Sequence, residues 1–287
     1  MIQNNNNLSV LPFYENPNWQ NAKKWYAFGD IFPLATPIRH LLPFQILRGT
    51  RSNPIARVRL FTENGVLVRD ITEQMVETGL NIFPFAAYGY DVIAYNGILP
   101  LTFDVVQGRY YIDIWDGVQL FTSDIFTWTP DISGFMKLQW WDAETLQFPS
   151  GAILYDSYFK NTLYICAELG KPDYTFEEEG ESRDGYFFPE KQVSFKTYRT
   201  IFLAPEYLCD VMRVIRMSDY VTVDIDGQHY DCDTFLITPK WQTQGNLASV
   251  EIEFTTDTVI KKIGRGFMPT YKGDFNKDFN NDFNNND

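Results

Sequence analysis

The sequence predicts an all-β fold, mainly antiparallel, with two β-sandwich-like domains, the second of which carries one docked α-helix. Three observations favour this fold class. Turn-forming dipeptides separate β-rich runs, several of those runs alternate apolar with polar side chains, and aromatic residues make up 17% of the 287 residues. Because large aromatic side chains favour strands and can fill a sizeable core, the chain is expected to fold without disulfide or metal staples.

Four dipeptides predict tight hairpin turns. Both central residues of a type I′ turn need a positive φ, which Asn, Asp and Gly adopt most readily. The dipeptides are Asn64-Gly65, Asn96-Gly97, Asp116-Gly117 and Asp226-Gly227. Two later segments place apolar residues at every second position, and these are Val221, Val223 and Ile225, then Val250, Ile252 and Phe254. A period of two predicts strands with one buried and one wet face.

One helix is predicted near residues 205–216. Pro205 suits the first helical position, and the apolar residues that follow recur at the spacing of one helical stripe. They are Leu208, Val211, Met212 and Ile215. By contrast, residues 176–185 are rich in Glu and broken by Gly, so we expect an exposed, mobile loop there.

The predicted domain organisation has four parts. A polar, Asn-rich arm covers residues 1–13, a β-sandwich covers 14–130, and a second β-rich domain with the helix covers 131–266, the boundary being marked by turn formers between Thr129 and Gly134. Residues 267–287 form a low-complexity Asn/Phe tail. Its aromatic residues recur at every fourth position, at Tyr271, Phe275, Phe279 and Phe283. Such a polar segment is expected to be disordered, or to be an arm whose rings dock on a neighbouring subunit.

The charge balance narrows the classes of partner. Lys and Arg number 24 against 37 Asp and Glu, which gives a net charge of −13. A surface of this sign repels phosphate backbones and anionic lipid, so neither nucleic acid nor membrane is an expected partner. Three widely spaced cysteines, Cys166, Cys209 and Cys232, indicate buried thiols in a reducing compartment. With neither a secretory signal nor a long apolar run, the chain is expected to fold in a cytoplasm.

Metal and cofactor chemistry have little support. The sequence has no phosphate-binding glycine motif and no nucleophile elbow, and its only histidines are His40 and His229. We therefore predict no catalytic residue and no cofactor. The best metal candidates are His229, Asp231 and Asp233 beside the fourth turn, together with Asp224 and Asp226. Their spacing departs from known calcium loops, and we favour the solvated side of a hairpin.

Two features bear on glycans. The densest acidic set, which could supply paired carboxylates for glycoside hydrolysis, is Glu177, Glu178, Glu179, Glu181 and Asp184. A solvated charge run is the interpretation we favour. Trp140 and Trp141 are adjacent, so on a strand they point to opposite faces and one can be exposed to stack on a sugar. A core position or a subunit contact is favoured for these rings.

Several segments resemble known virion proteins. Residues 108–114 (Gly-Arg-Tyr-Tyr-Ile-Asp-Ile), residues 121–126 (Phe-Thr-Ser-Asp-Ile-Phe) and later pieces such as Pro205-Glu206-Tyr207-Leu208 and Thr238-Pro239-Lys240-Trp241 are similar to proteins of tailed phages and prophages of Bacteroidetes-type hosts. The resemblance extends from about Arg57 to Ile263. It implies a structural component of the tail or baseplate, and it carries no catalytic residue.

Our hypothesis is therefore a non-enzymatic structural subunit of a phage virion, assembled in the host cytoplasm. It is expected to act as a ring or an adaptor, with other copies of itself and other virion proteins as partners. The predicted interaction residues are Tyr271, Phe275, Phe279, Phe283, Trp140 and Trp141. The alternatives are a carbohydrate-binding adhesion module with a host-surface glycan as its partner, and a glycan hydrolase.

Overall fold

The structure, a computed structural model, describes residues 9–15, 34–49, 53–85, 89–97, 102, 104, 106–148, 151–155, 158–241 and 247–262. These residues belong to two compact units. The larger unit contains the described residues up to Lys171 and from Tyr198 to Phe254, and the smaller unit contains Pro172–Thr197 and the residues from Thr255 on. This division does not follow the predicted boundary at residues 130–131, because Trp128 and Trp140 lie in one hydrophobic core.

The predicted all-β, mainly antiparallel fold is confirmed. The first ten strands are β1 (Phe13–Glu15), β2 (Leu34–Pro37), β3 (Phe44–Gly49), β4 (Arg57–Thr62), β5 (Leu67–Asp70), β6 (Leu80–Phe85), β7 (Tyr90–Tyr95), β8 (Gly108–Trp115), β9 (Leu120–Ser123) and β10 (Phe126–Thr129). The next ten are β11 (Phe135–Trp141), β12 (Leu146–Phe148), β13 (Gly151–Ile153), β14 (Asn161–Cys166), β15 (Asp173–Arg183), β16 (Tyr186–Pro205), β17 (Tyr220–Ile225), β18 (Gln228–Asp231), β19 (Thr234–Trp241) and β20 (Leu247–Lys262).

The larger unit contains several small sheets. A seven-stranded sheet runs in the order β1-β9-β8-β10-β2, with β4 paired to β8 and β5 paired to β4. Its β10–β2 pair is parallel, and Phe126 lies opposite Leu34. Further sheets run in the orders β3-β7-β6, β14-β11-β17-β18 and β12-β13. Strands β16 and β20 have residues in both units.

Alternating burial produces the core. In β11 the buried positions are Met136, Leu138 and Trp140, and the residues between them are half-buried. The predicted alternation is also confirmed in the first part of β20. In β17 the apolar residues named above are all buried, but Thr222 between them is buried as well. Aromatic rings fill much of the interior, and the rings of Tyr198 and Phe254 stack with their centroids 5.3 Å apart. The core is thus a consequence of period-two patterning.

Three of the four predicted turns connect paired strands. Asp226 and Gly227 both have positive φ, 51° and 75°, and join β17 to β18 in the type I′ geometry expected of them. Asn64-Gly65 joins β4 to β5 and Asp116-Gly117 joins β8 to β9, each with positive φ at the glycine alone. Asn96-Gly97 follows β7, and the segment after it lies outside the described residues.

Two helices lie among the described residues, and neither is long and apolar enough to cross a lipid bilayer. Helix α2 (Glu206–Met212) confirms the predicted helix but ends earlier, and Ile215 lies in a separate 3-10 turn. Helix α1 (Thr72–Glu77) was not expected from the sequence. It buries one apolar side chain, Met75, so it has no apolar stripe to detect.

The cysteine prediction needs one correction. Cys209 is buried, and burial raises the pKa of its thiol to about 11. Cys232 is half-buried, but Cys166 is exposed at the end of β14 rather than buried. The three thiols are free, as their odd number and wide spacing predicted.

A charged cluster is buried inside the larger unit. The Arg48 guanidinium, whose side chain is 1% exposed, donates to the Asp116 carboxylate over 3.1 Å and lies 3.6 Å from Asp91. Arg48 also donates to the Asn53 carbonyl over 2.7 Å. The other carboxylate oxygen of Asp116 accepts from the backbone amides of Val118 and Gln119. The buried cation therefore lies between two carboxylates, and the nearer one, Asp116, also closes the β8–β9 turn.

We predict that Asp116→Ala strongly destabilises the protein, by about 3–5 kcal/mol, since it leaves a buried guanidinium short of a counter-charge and two turn amides without their acceptor. Denaturant unfolding of the full chain measures the change. The control is Asp104→Ala, because Asp104 pairs with Arg39 on the surface, where no measurable loss is expected. Equal effects of the two substitutions would contradict this account of the cluster.

Candidate interaction surface

The hairpin formed by β15 and the first part of β16, residues 173–197, makes up most of the described part of the smaller unit. Its strands pair from Asp173 opposite Thr197 to Arg183 opposite Tyr186. Asp184 and Gly185 form the turn, with φ values of 50° and 84°. The prediction of a mobile loop over residues 176–185 is therefore wrong, although the segment is exposed as expected. It forms a strand because its backbone pairs with β16. It has no buried face, so its sequence carries no apolar alternation.

A glycine allows the ladder to bulge. The register shifts between Glu179 and Gly180, so that Glu190 on β16 has no residue directly opposite it. A Cβ on Gly180 would lie 2.1 Å from the carbonyl oxygen of Phe188 and 2.8 Å from the Cα of Pro189. Both are backbone atoms, so a side chain here would force the strands apart. Glycine is required at position 180 because the backbone of β16 approaches too closely for a side chain.

The two faces of the hairpin differ in chemistry. Residues opposite each other in a ladder lie on the same face. One face carries an acidic row on β15, formed by Glu177, Glu179 and Glu181, which lie opposite Val193, Lys191 and Phe188 of β16. We call these three glutamates the edge row. The other face carries the aromatic residues of β15, Tyr174 and Phe176, opposite Lys196 and Ser194.

Large aromatic rings are exposed on both faces. Tyr186, Phe187 and Phe188, which we call the tip aromatics, are 63%, 48% and 51% exposed. Tyr186 and Phe188 share the face of the edge row, and Phe187 lies on the opposite face. Tyr174 and Phe176 are 77% and 61% exposed. Rings presented in this way on a paired backbone are typical of a protein–protein contact surface.

Polar contacts hold the strands in register. Lys191 lies 3.2 Å from Glu179 across the ladder, and the Gln192 side-chain amide donates to Glu178 over 2.6 Å. Lys196 pairs with Asp257 of β20 at 2.7 Å. These exposed pairs add little stability individually, but each joins residues of neighbouring strands.

The acidic run does not form a convergent site on this hairpin. Glu177, Glu179 and Glu181 project from one face and Glu178 from the other, while Asp184 lies in the turn. Paired carboxylates for glycoside hydrolysis face each other across a cleft. Alternation along an exposed strand separates these carboxylates instead.

The adjacent tryptophans have opposite environments, as predicted, but Trp140 is fully buried in the core. It is therefore corrected from an interaction residue to a core residue. Trp141 is half-buried, and its ring stacks on Tyr220 with centroids 5.2 Å apart. The Lys160 Nζ lies 3.7 Å from the centre of the same ring. Because β11 lies between β14 and β17, the lysine and the tyrosine reach Trp141 from opposite sides, so a sugar would have to displace one of them.

The predicted metal candidates do not form a metal site among the described residues. His229 Nδ1 lies 2.5 Å from an Asp224 oxygen, and Nε2 lies 3.3 Å from Asp231. Lys137 also pairs with Asp224, at 3.3 Å. The hydrogen bond that the His229 ring donates to the Asp224 carboxylate raises the pKa of His229, with a further contribution from Asp231. The group is an exposed ion-pair network, and Asp233 is an exposed neighbour of it.

The remaining predicted interaction residues, Tyr271, Phe275, Phe279 and Phe283, lie outside the described residues. Their role therefore stays a prediction. The tip aromatics were not singled out from the sequence, although a signal exists. Three consecutive aromatic residues directly follow an Asp-Gly pair at 184–185, which is the pattern of a type I′ turn entering a strand.

Comparison of the chain with models of protein families, with curated proteins and with solved structures finds no match.

We predict that the pKa of His229 in the folded protein lies above the ordinary value of about 6.5 and that Asp224→Asn lowers it. A raised pKa in the folded state stabilises the protein fully below the unfolded value, and this contribution is lost as pH rises through the folded value. NMR titration of the imidazole protons measures the pKa. Asp233→Asn is the matched control and should leave it unchanged, whereas an equal effect would contradict the assigned partner.

We also predict that Gly180→Ala opens the tip of the hairpin while the larger unit stays folded. Hydrogen exchange of the amides of residues 180–188 should become at least about tenfold faster, since the added methyl group meets backbone rather than a flexible side chain. Ser182→Ala, two residues away on the same strand, is the control. Unchanged exchange in Gly180→Ala would show that the bulge tolerates a side chain.

Proposed function

We propose that this chain is a structural subunit of a phage virion, in the tail or baseplate, and that it acts through protein–protein assembly without catalysis. The resemblance of residues 57–263 to virion proteins supports a place in a phage particle. The exposed hairpin supports action through protein–protein contacts. The observation that carries the proposal is the exposure of five aromatic rings on an ordered hairpin, namely Tyr174, Phe176 and the tip aromatics.

The exposed rings are sufficient in size to anchor an interface. Fully burying one large apolar side chain contributes roughly 1.5–3 kcal/mol. Docking of two proteins costs an estimated 4–15 kcal/mol in lost freedom, so a stable contact needs several such anchors together. Five rings that are 48–77% exposed supply a gain of the same order as that cost, whereas a single exposed ring would not.

The arrangement of the rings also indicates how a partner docks. Tyr186 and Phe188 lie on one face of the hairpin, and Phe187 lies on the other. A flat partner surface would bury one set and leave the other in water. A cleft that encloses the hairpin on both faces, or two partners on opposite faces, would bury both sets, as expected for a subunit held between neighbours in an assembly.

The proposal predicts that this polypeptide is present in purified particles. Particles would be purified on a density gradient from cultures of the host carrying the gene, and their proteins identified by mass spectrometry, with antibody labelling in electron microscopy to locate the chain. Labelling at the tail or baseplate is the expected result. Intact tails that contain no copy of this polypeptide would refute the proposal.

The tip aromatics are expected to be needed for incorporation. The triple variant Tyr186→Ser, Phe187→Ser and Phe188→Ser should fold normally, since its side chains are exposed, but its incorporation into particles should fall at least about tenfold. A matched control replaces three exposed apolar side chains of the larger unit, Val66→Ser, Leu67→Ser and Val76→Ser. Equal incorporation of the two variants would show that assembly uses another surface.

A further inference from the structure

The outer edge of β15 is available for strand addition within the described residues. β15 ends its sheet and pairs with β16 alone. It is 11 residues long, and its side chains are exposed or half-buried wherever the structure describes them. At the edge of a sheet, alternate residues direct backbone N–H and C=O groups outward, where an extended segment of another chain can pair with them.

We infer that this edge binds an extended segment of a different protein in which basic residues alternate with apolar ones. The inference rests on the proposed assembly function and names the chemistry of the partner. Its basis is the alternation along β15, where the edge row occupies one face and Tyr174 and Phe176 occupy the other. A segment paired to β15 places its own side chains alternately on the same two faces.

Charge complementarity selects the partner. On the face of the edge row, the added segment meets Glu177, Glu179 and Glu181, so Lys or Arg is favoured at those positions. On the opposite face it meets Tyr174 and Phe176, so apolar residues are favoured beside these rings. Glu178, further along the same face, already accepts a hydrogen bond from the side chain of Gln192. The hairpin as a whole, residues 173–197, carries seven acidic and three basic residues, which gives 3 − 7 = −4.

The same charges disfavour a second copy of this chain. Pairing two β15 edges would bring the two edge rows onto adjacent strands, and like charges facing each other across a ladder are destabilising. The whole chain is also acidic, at −13, so long-range repulsion opposes the encounter of two copies. A basic partner relieves both effects.

The probe for this inference is a fluorescently labelled peptide of eleven residues that alternates Lys and Val. Its binding to the full chain would be measured by fluorescence anisotropy at low and high salt. Two controls are a peptide alternating Glu and Val and a peptide with the same Lys and Val content arranged in two blocks. We expect the alternating Lys peptide to bind at least about tenfold more tightly than either control, and more weakly as salt rises. Equal binding of the block peptide would overturn the inference.

Variants of the edge row locate the contact. Replacing Glu177, Glu179 and Glu181 by Gln should weaken binding of the Lys–Val peptide about eightfold, since each of the three exposed charge pairs contributes a factor of about two. A matched variant, Glu73→Gln, Glu77→Gln and Glu144→Gln, removes three exposed charges elsewhere and should change binding less than about twofold. Replacing the edge row by Lys should transfer the preference to the Glu–Val peptide. Equal effects of the two Gln variants would overturn the inference.

Hydrogen exchange tests the mode of binding. The bound peptide should slow exchange of amides in residues 173–183, because pairing satisfies their outward groups. Binding without that protection would overturn strand addition. If no peptide binds although the tip aromatics are needed for incorporation, the edge pairing is wrong and the proposed assembly function stands. If the peptide binds but the chain is absent from particles, the edge pairing stands and the proposed assembly function is wrong.

Discussion

Backbone hydrogen bonding is the interaction on which the hairpin of residues 173–197 depends. Tyr174, Phe176 and the tip aromatics are largely exposed, so burial cannot supply the order of this segment. A two-stranded ribbon alone is marginal in water, and here β16 gains a second neighbour in β20. The positive φ values of Asp184 and Gly185 and the close approach at Gly180 allow the ladder to close. Backbone pairing and the turn residues thus order the hairpin, and its exposed side chains remain available for contact with another protein.

This dependence explains where the sequence predicted the fold well and where it did not. Strands with one buried face carry a period-two pattern, so β17 and the first part of β20 could be predicted from their apolar residues. The turn at Asp226-Gly227 could be predicted because few residues tolerate positive φ. Residues 176–185 have no buried face and therefore no apolar alternation. The segment that bears most of the candidate site was predicted as a loop for that physical reason.

Long-range contacts were beyond sequence analysis for a different reason. Arg48 and Asp116 are 68 residues apart and meet only because the fold brings β3 beside the β8–β9 turn. Likewise, nothing local indicates that Leu34 of β2 lies beside Phe126 of β10 in a parallel pair. The pair Trp140-Trp141 shows what an alternating pattern can predict and what it cannot. Alternation predicted that the two rings lie on opposite faces, but which face is inside depends on what packs there.

The charges of the edge row have two consequences, because they repel an acidic strand and attract a basic one. An exposed edge strand tends to pair with any extended chain, and proteins commonly protect such edges with charged side chains. Under the proposed strand addition, Glu177, Glu179 and Glu181 disfavour pairing of this edge with the same edge of another copy. The protection is selective, because a carboxylate row that repels an acidic strand attracts a basic one. If the tip aromatics supply the docking energy, the edge row decides which protein can use it, since specificity is a difference between the free energies of competing contacts. A subunit that must remain separate until it meets a different protein needs both properties in the same strand.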